Sequence, residues 1–442
     1  MGARFGRRPC IEGEGKIGMR NRVIDILKNT SGISDWKVLS TRTVSTELFF
    51  VHKDLETVRS TDTTDIKVSV YVLHDGSLGE ATFSVYASYD DEKIAEEIEK
   101  AKKKAGIISN QPYSIPENEK GDYVSASNFA QYEPNVLASL ISKACFEADS
   151  VEGGSINATE IFVYRDEVSL TNSRGIDKTQ VKYRAMVEAI PTFNGAESVE
   201  LYEQYNFTEF DHATVLEEIS RKMREVKDRY EAKPPESKLS CRVVLDAPEL
   251  EQLISNFVYE LNFSSVYQHS NAFGVGDDIQ KDATGDRMSV TMCGEVKGSV
   301  RSSAFDGDGV TLVDRKIIEE GKAVALWGGT RYAQYLSETA TGNLGCISVD
   351  CGTLTDEEKM SKPYFRCASM SGLQVDIYND YIGGEVRLAY YFDGEREIPV
   401  TGISISGKLS TALANMRLSD EATTYESYHG PKCAIFEGIE IV

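Results

Sequence analysis

The side chains able to hold a metal or act as nucleophiles are few and scattered. Five histidines occur, His52, His74, His212, His269 and His429, with eight cysteines, Cys10, Cys145, Cys241, Cys293, Cys346, Cys351, Cys367 and Cys433. A hydrolytic zinc site needs imidazole or thiolate donors converging on one face, with a position left open for water. No two histidines lie within one helical turn and none is followed by Glu, so the sequence holds no HExxH-type helix. No Gly-x-Ser-x-Gly elbow occurs either, which leaves a serine hydrolase without support.

Other groupings have plainer explanations. Cys346 and Cys351 form a C-x4-C pair, but on one strand an odd separation sends the two thiols to opposite faces. Asp306-Gly307-Asp308-Gly309 has the start of a calcium loop without its later oxygen ligands, and a tight turn is expected. Gly274-Val275-Gly276 precedes Asp277-Asp278, whose charge would repel a phosphate. His269, His429 and Cys433 share the C-terminal half and are the remaining candidates for a metal.

The elements that would position these groups follow from periodicity and caps. Helices are expected over residues 20–29, 92–105, 134–148, 214–230 and 248–259. Asp90 or Asp91 caps the second, Gly106 stops it, and Asp211 caps the fourth. Strands are expected over 36–44, 47–52, 66–73, 81–88, 158–164, 167–172, 180–190 and 199–207. Ile66, Val68, Val70 and Val72 alternate along one buried face. The expected fold is α+β. A tail over 1–18 precedes an N-terminal α/β domain over 19–232, made of a first lobe (19–106), a long loop (107–133) and a middle segment (134–232). Lys233-Pro234-Pro235-Glu236-Ser237 reads as a linker to a C-terminal antiparallel β domain over 233–442, barrel-like or sandwich-like.

Three segments carry a resemblance. They are Leu170-Thr171-Asn172-Ser173-Arg174-Gly175; the stretch from Ser302 through Phe305-Asp306-Gly307-Asp308-Gly309-Val310 to Thr341-Gly342-Asn343; and Gly383-Gly384 with Ala389-Tyr390-Tyr391-Phe392 and Ile398-Pro399-Val400-Thr401-Gly402. In this order they resemble the TldD/PmbA family, also called the modulator of DNA gyrase family. The resemblance covers the chain from about residue 155 onward. It implies an N-terminal α/β domain and a C-terminal β domain. The family's metalloprotease branch carries HExxxH on a helix, which by order along the chain corresponds to residues 248–259. Ser255, Asn256 and Tyr259 stand there instead. Cys433 lies where that branch brings in its third ligand. The chain is therefore similar to the PmbA (TldE-like) branch. The implied role is a non-catalytic subunit of a TldD-type metalloprotease complex acting on peptides or unfolded proteins. No catalytic residue and no cofactor are expected on this chain, with zinc on the partner. By the same resemblance Phe305, Asp306, Gly307, Thr341, Gly342 and Asn343 are candidates for a peptide groove.

Composition narrows the classes further. The 442 residues are 41% hydrophobic and 27% charged, with a net charge of −22, an ordinary globular balance. Such an acidic chain repels phosphate backbones, so direct nucleic-acid binding is not expected. No run of apolar residues is long enough for a membrane helix. Free thiols and a cytoplasmic location are expected. A TldD-like subunit or a second copy is the expected partner. An autonomous metal- or thiol-dependent peptidase and a protein-binding regulator without catalysis are the alternatives.

Overall fold

The computed structural model describes residues 12–442. The expected tail thus lies mostly outside the described residues. From Glu12 the chain is already in α1 (Glu12–Asn29), which begins earlier than residue 20. Two very long strands follow, β1 (Asp35–Val51) and β2 (Asp54–His74), then β3 (Ser77–Val85) and α2 (Asp91–Ala105). The expected cap is present: an Asp90 carboxylate oxygen accepts the Lys93 N–H at 2.8 Å. The expected loop over 107–133 holds regular structure, because β4 (Lys120–Val124) joins the sheet. Next come α3 (Pro134–Ala148), β5 (Gly154–Asn172), β6 (Asp177–Asn194), β7 (Ser198–Glu200), β8 (Glu203–Phe207) and α4 (His212–Glu231).

These strands make one sheet whose central path is β3-β2-β1-β5-β6-β4, antiparallel except for the β4–β6 pair. Expected breaks near residues 45 and 165 do not occur. Thr41 to Thr46 pairs without interruption to β2 on one side and β5 on the other. Thr41, Thr43, Val44 and Thr46 are β-branched and suit a pleated surface with a neighbour on each side. All four helices cover one face of the sheet. Val23, Ile94 and Ile98 pack on Val38, Val68 and Val70, while Leu137, Ile141, Ile219 and Met223 pack on Leu48, Ile161 and Val187. The opposite face carries Leu39, Thr41, Thr43, Val168, Asp166, Gln180, Lys182 and Arg184 by alternation.

The second half contributes β9 (Arg242–Asp246), α5 (Ala247–Glu260), α6 (Phe263–Tyr267), β10 (Val290–Cys293), β11 (Arg315–Glu319), β12 (Lys322–Ala323), α7 (Thr330–Tyr335), β13 (Cys346–Val349) and β14 (Tyr364–Met370). With the later strands they form a six-stranded and a nine-stranded sheet, mostly antiparallel. Val290, Ile317 and Ile347 of the first sheet and Val243, Phe365 and Val386 of the second share one core with Leu250, Leu253, Ile254 and Phe257 of α5. The arrangement is sandwich-like, with the apolar face of α5 packed into its core. Among the described residues no helix is long and apolar enough to cross a membrane.

Candidate functional site

The segments singled out in the sequence meet where the two halves of the chain touch. The Phe305–Thr311 turn is closed by the Asp306 carboxylate. One of its oxygens accepts the N–H groups of Asp308 (2.9 Å) and Val310 (3.1 Å). The other accepts the backbone N–H and side-chain amide of Asn343, at 3.0 and 3.2 Å. Asp306 therefore ties the turn to the Thr341-Gly342-Asn343 loop. Burial, and next the charge of Asp308, push its carboxyl pKa up, while these N–H donors pull it down.

The turn then docks on the N-terminal sheet. Phe305 packs with Leu170 and Ile176 at the β5–β6 hairpin. Gly309 has φ +90°, and a Cβ there would come 2.8 Å from the Ile176 side chain, so only glycine fits both the backbone and the space. The hairpin is itself braced by Asn172, whose side-chain oxygen Oδ1 accepts the N–H of Arg174 at 2.9 Å and of Ile176 at 3.0 Å. Lys178, whose side chain is wholly buried, donates to Gly309 O and Thr311 Oγ1, both at 2.7 Å, and pairs with Glu119. Lys37 pairs with Asp308 at 2.5 Å. Gln180 donates to Ser303 Oγ at 2.9 Å and accepts the Ala304 N–H at 3.0 Å. Because Asp306 bonds backbone and Asp308 bonds Lys37, this acidic turn is a structural turn, as its sequence suggests.

A cavity of about 240 Å³ opens beside this junction, lined among others by Leu39, Val168, Gln180, Arg301, Phe305, Asp306, Gly307 and Asn343. Of the six groove candidates, Phe305, Asp306, Gly307 and Asn343 thus surround one space. Thr341 and Gly342 do not line it. Thr341 is buried and its hydroxyl accepts the Gly328 N–H at 3.0 Å. Gly342, at φ +78°, leaves room for Leu312. A second clasp holds α7 to the connection after α2: Gln334 and Ser114 exchange bonds of 2.9 and 2.7 Å, and Arg331 donates to Asn110 at 2.8 Å.

The metal candidates are not brought together. Among the described residues no three or more His, Cys, Asp or Glu side chains form a metal-holding group. His269 sits in a turn at φ +53°, and His429 meets the Thr424 hydroxyl at 3.0 Å. Cys433 is buried among Val244, Leu354, Tyr364, Phe392 and Ile435, and burial pushes its thiol up to about 11. A thiol held protonated in an apolar shell is a poor zinc ligand. Cys346 is buried on β13 with its sulfur 3.4 Å from the Ser299 hydroxyl, whereas Cys351 lies beyond the strand and is exposed. All seven described cysteines are free.

On α5, Leu250, Leu253, Ile254, Phe257 and Val258 face the core. Glu251 accepts the Ser427 N–H at 3.2 Å and Asn256 bonds back to Gln252 O at 2.8 Å. Tyr259 is exposed. These side chains do not fit zinc. Glu249 is the unusual group. Burial, then the nearby Asp246 carboxylate, push it up to about 7. Asp246 is held by Arg366 at 3.1 Å, and α4 adds Lys222 and Glu225, paired at 2.8 Å.

Residues 238–442 match the family model described as the PmbA/TldA metallopeptidase C-terminal domain. The C-terminal domain of the chain is thus of the PmbA/TldD family. Solved structures share the fold across the whole length. TldE from Thermococcus kodakarensis has a TM-score of 0.77 at 15% identity, covering 97% of this chain and 100% of that one. A modulator-of-DNA-gyrase protein from Thermotoga maritima MSB8 gives 0.76 at 15% identity, covering 96% and 100%. Another, from Bacteroides thetaiotaomicron VPI-5482, gives 0.78 at 16%, covering 98% and 99%. No curated protein matches. The sequence pointed to Asp306 and Asn343 but not to Lys178, Gln180 or Lys37. A lone polar residue on a strand gives no sign that a second domain will bury it.

Proposed function

We propose that this chain is a non-catalytic, PmbA/TldE-like subunit that pairs with a TldD-type metalloprotease subunit, and that together they process peptides or unfolded proteins. The observation that carries this reading is the chemistry of α5. The helix corresponding in order to the zinc helix of catalytic relatives offers Ser255, Asn256 and Tyr259. None of these is a strong zinc donor beside an open water position. The zinc and its activated water would belong to the partner.

The role of this chain is then to shape the site. The Asp306-tied junction supplies a wall with a cavity, and main-chain groups along strand edges suit an extended peptide. A partner surface is also available. Residues 54–60 of β2 are exposed on both faces, and β3 pairs with β2 only from Ile66 onward. Leu55 and Val58 are more than half exposed there. Paired strands standing clear of their own core, with apolar side chains, are what a subunit contact requires.

The test is to assay hydrolysis of a quenched, unfolded peptide by the chain alone, by a TldD-type subunit alone, and by the mixture. The reading expects chelator-sensitive cleavage only in the mixture, together with a stable complex on gel filtration. Cleavage by the isolated chain, or an unchanged rate on mixing, overturns it.

A further inference from the structure

β10 and β13 lie side by side as antiparallel strands, and their register sets Cys293 directly opposite Cys346. No other two of the seven described cysteines are opposed in a strand pair. Both thiols are free and both residues are buried. Their neighbours Met292 and Ile347 face the C-terminal core. Side chains alternate along a strand and opposed residues share a face, so the two cysteines leave the other side of the sheet together. There the Cys346 sulfur lies 3.4 Å from the Ser299 hydroxyl and 3.9 Å from that of Ser302.

The spacing suits a bond between the sulfurs. The Asp350 N–H donates to Ser289 O at 3.1 Å. Hydrogen-bonded rungs alternate along an antiparallel ladder, so Cys293 and Cys346 also form a bonded rung, with Cα atoms about 5.5 Å apart. A disulfide spans Cα separations of about 4.4–6.8 Å. Cβ atoms at such a rung stand about 5.5 Å apart and must close to about 4 Å. The pair sits where the backbone can give: it is the last rung, with Gly294 following Cys293 and Gly345 preceding Cys346. A bridge closed against that resistance is one that a thiol reopens readily.

The same two residues root the segments of the junction. From Cys293 the chain runs through Ser299 and Ser303 into the Phe305–Thr311 turn, and Cys346 directly follows the Thr341-Gly342-Asn343 loop and its two next residues. Arg301, Ser303, Asn343 and Gly345 of these segments line the cavity, so its wall comes within one residue of Cys346. Asp306 already ties the far ends, through its bonds of 3.0 and 3.2 Å to Asn343. A bond between Cys293 and Cys346 would tie the near ends.

We propose that Cys293 and Cys346 are a redox-active dithiol, closed to a disulfide by a peroxide and reopened by a thiol reductant, which fastens the two segments walling the cavity. One thiolate attacks the O–O bond, giving a sulfenic acid and hydroxide. The second thiolate attacks that sulfur, forms the S–S bond and expels a second hydroxide. The two thiol protons turn both hydroxides into water, so two thiols and one peroxide give one disulfide and two waters. The test treats the folded chain with hydrogen peroxide, blocks remaining thiols with iodoacetamide and reads linkages by peptide mass spectrometry. It uses the variant Cys10→Ser with Cys351→Ser, which removes the exposed thiol and the one outside the described residues. A cross-linked Cys293–Cys346 peptide is expected as the main product and is lost on adding dithiothreitol. Amide hydrogen exchange over 294–303 and 341–345 is expected to slow by at least about three-fold on oxidation, with no change when Cys293→Ala is added. Thiols at 293 and 346 that stay free, or that stop at a sulfinic acid, overturn the dithiol. A cross-link that forms only in urea overturns it as well. A cross-link in the folded chain without slower exchange overturns the fastening.

Discussion

Replacing Glu249 by Gln removes one titrating charge from the start of α5 while keeping the shape of the side chain. In the folded protein this carboxyl titrates at about 7, against an ordinary 4.5, because burial and the Asp246 carboxylate disfavour its ionised form. Each tenfold change in proton affinity corresponds to about 1.4 kcal/mol. Holding Glu249 ionised at pH 8 therefore costs about 3 kcal/mol of folding stability, an upper figure because the side chain is only half-buried by surface area. The sign follows from a folded pKa above the unfolded one. Folding takes up a proton between about pH 4.5 and 7, so the wild type loses stability as pH rises through that window. Glu249→Gln should be close to neutral at pH 5 and stabilising at pH 8, with a difference between the two of about 2.5 kcal/mol. Urea unfolding of both proteins at the two pH values measures it, following the transition of the C-terminal domain. Titrating groups that do not interact with Glu249 cancel in the comparison. An equal effect at both pH values would refute the buried-charge account of α5. A carboxyl near 7 is also what a general base looks like, so the variant's activity in the assembled complex is informative: the subunit reading expects it unchanged.

Three further outcomes follow from the junction and from the cysteine. Lys178→Met removes the donor to buried Gly309 O, while Thr311 Oγ1 and the half-exposed Glu119 keep their bond to each other; a loss of about 1–3 kcal/mol is expected in denaturant unfolding, and no measurable loss would contradict it. Gly309→Ala combines a left-handed backbone with a Cβ 2.8 Å from Ile176, and should cost about 2–4 kcal/mol and speed proteolysis within residues 305–312. Cys433→Ala should leave partner-dependent peptidase activity intact, since its thiol is buried and protonated; loss of activity would revive it as a ligand.

Local signals served the helices well. Asp90 caps α2 and Gly106 ends it, and α5 (Ala247–Glu260) and α4 (His212–Glu231) lie within a residue or two of their expected spans. Caps and 3.6-residue spacing act within one element, so the sequence displays them. The long strands were legible only in pieces. Ser45-Thr46 holds no apolar residue to mark it as strand, and it stays extended because β2 and β5 flank it on both sides. Pairing partners more than 100 residues away carry no local signature. The candidate site divides in the same way. Asp306 and Asn343 belong to compact, turn-forming motifs and were visible. Lys178, Gln180 and Lys37 matter because the two halves of the chain close on one another, and nothing in their immediate sequence records that.

The central claim is that the metal chemistry resides on a partner. Plasma mass spectrometry after dialysis against a weak chelator tests it most directly, applied to the isolated chain and to its complex with a TldD-type subunit. The account predicts near-zero zinc, iron and manganese on the isolated chain and about one zinc per assembled pair. Close to one tightly held metal on the isolated chain would contradict it and return attention to His269, His429 and Cys433.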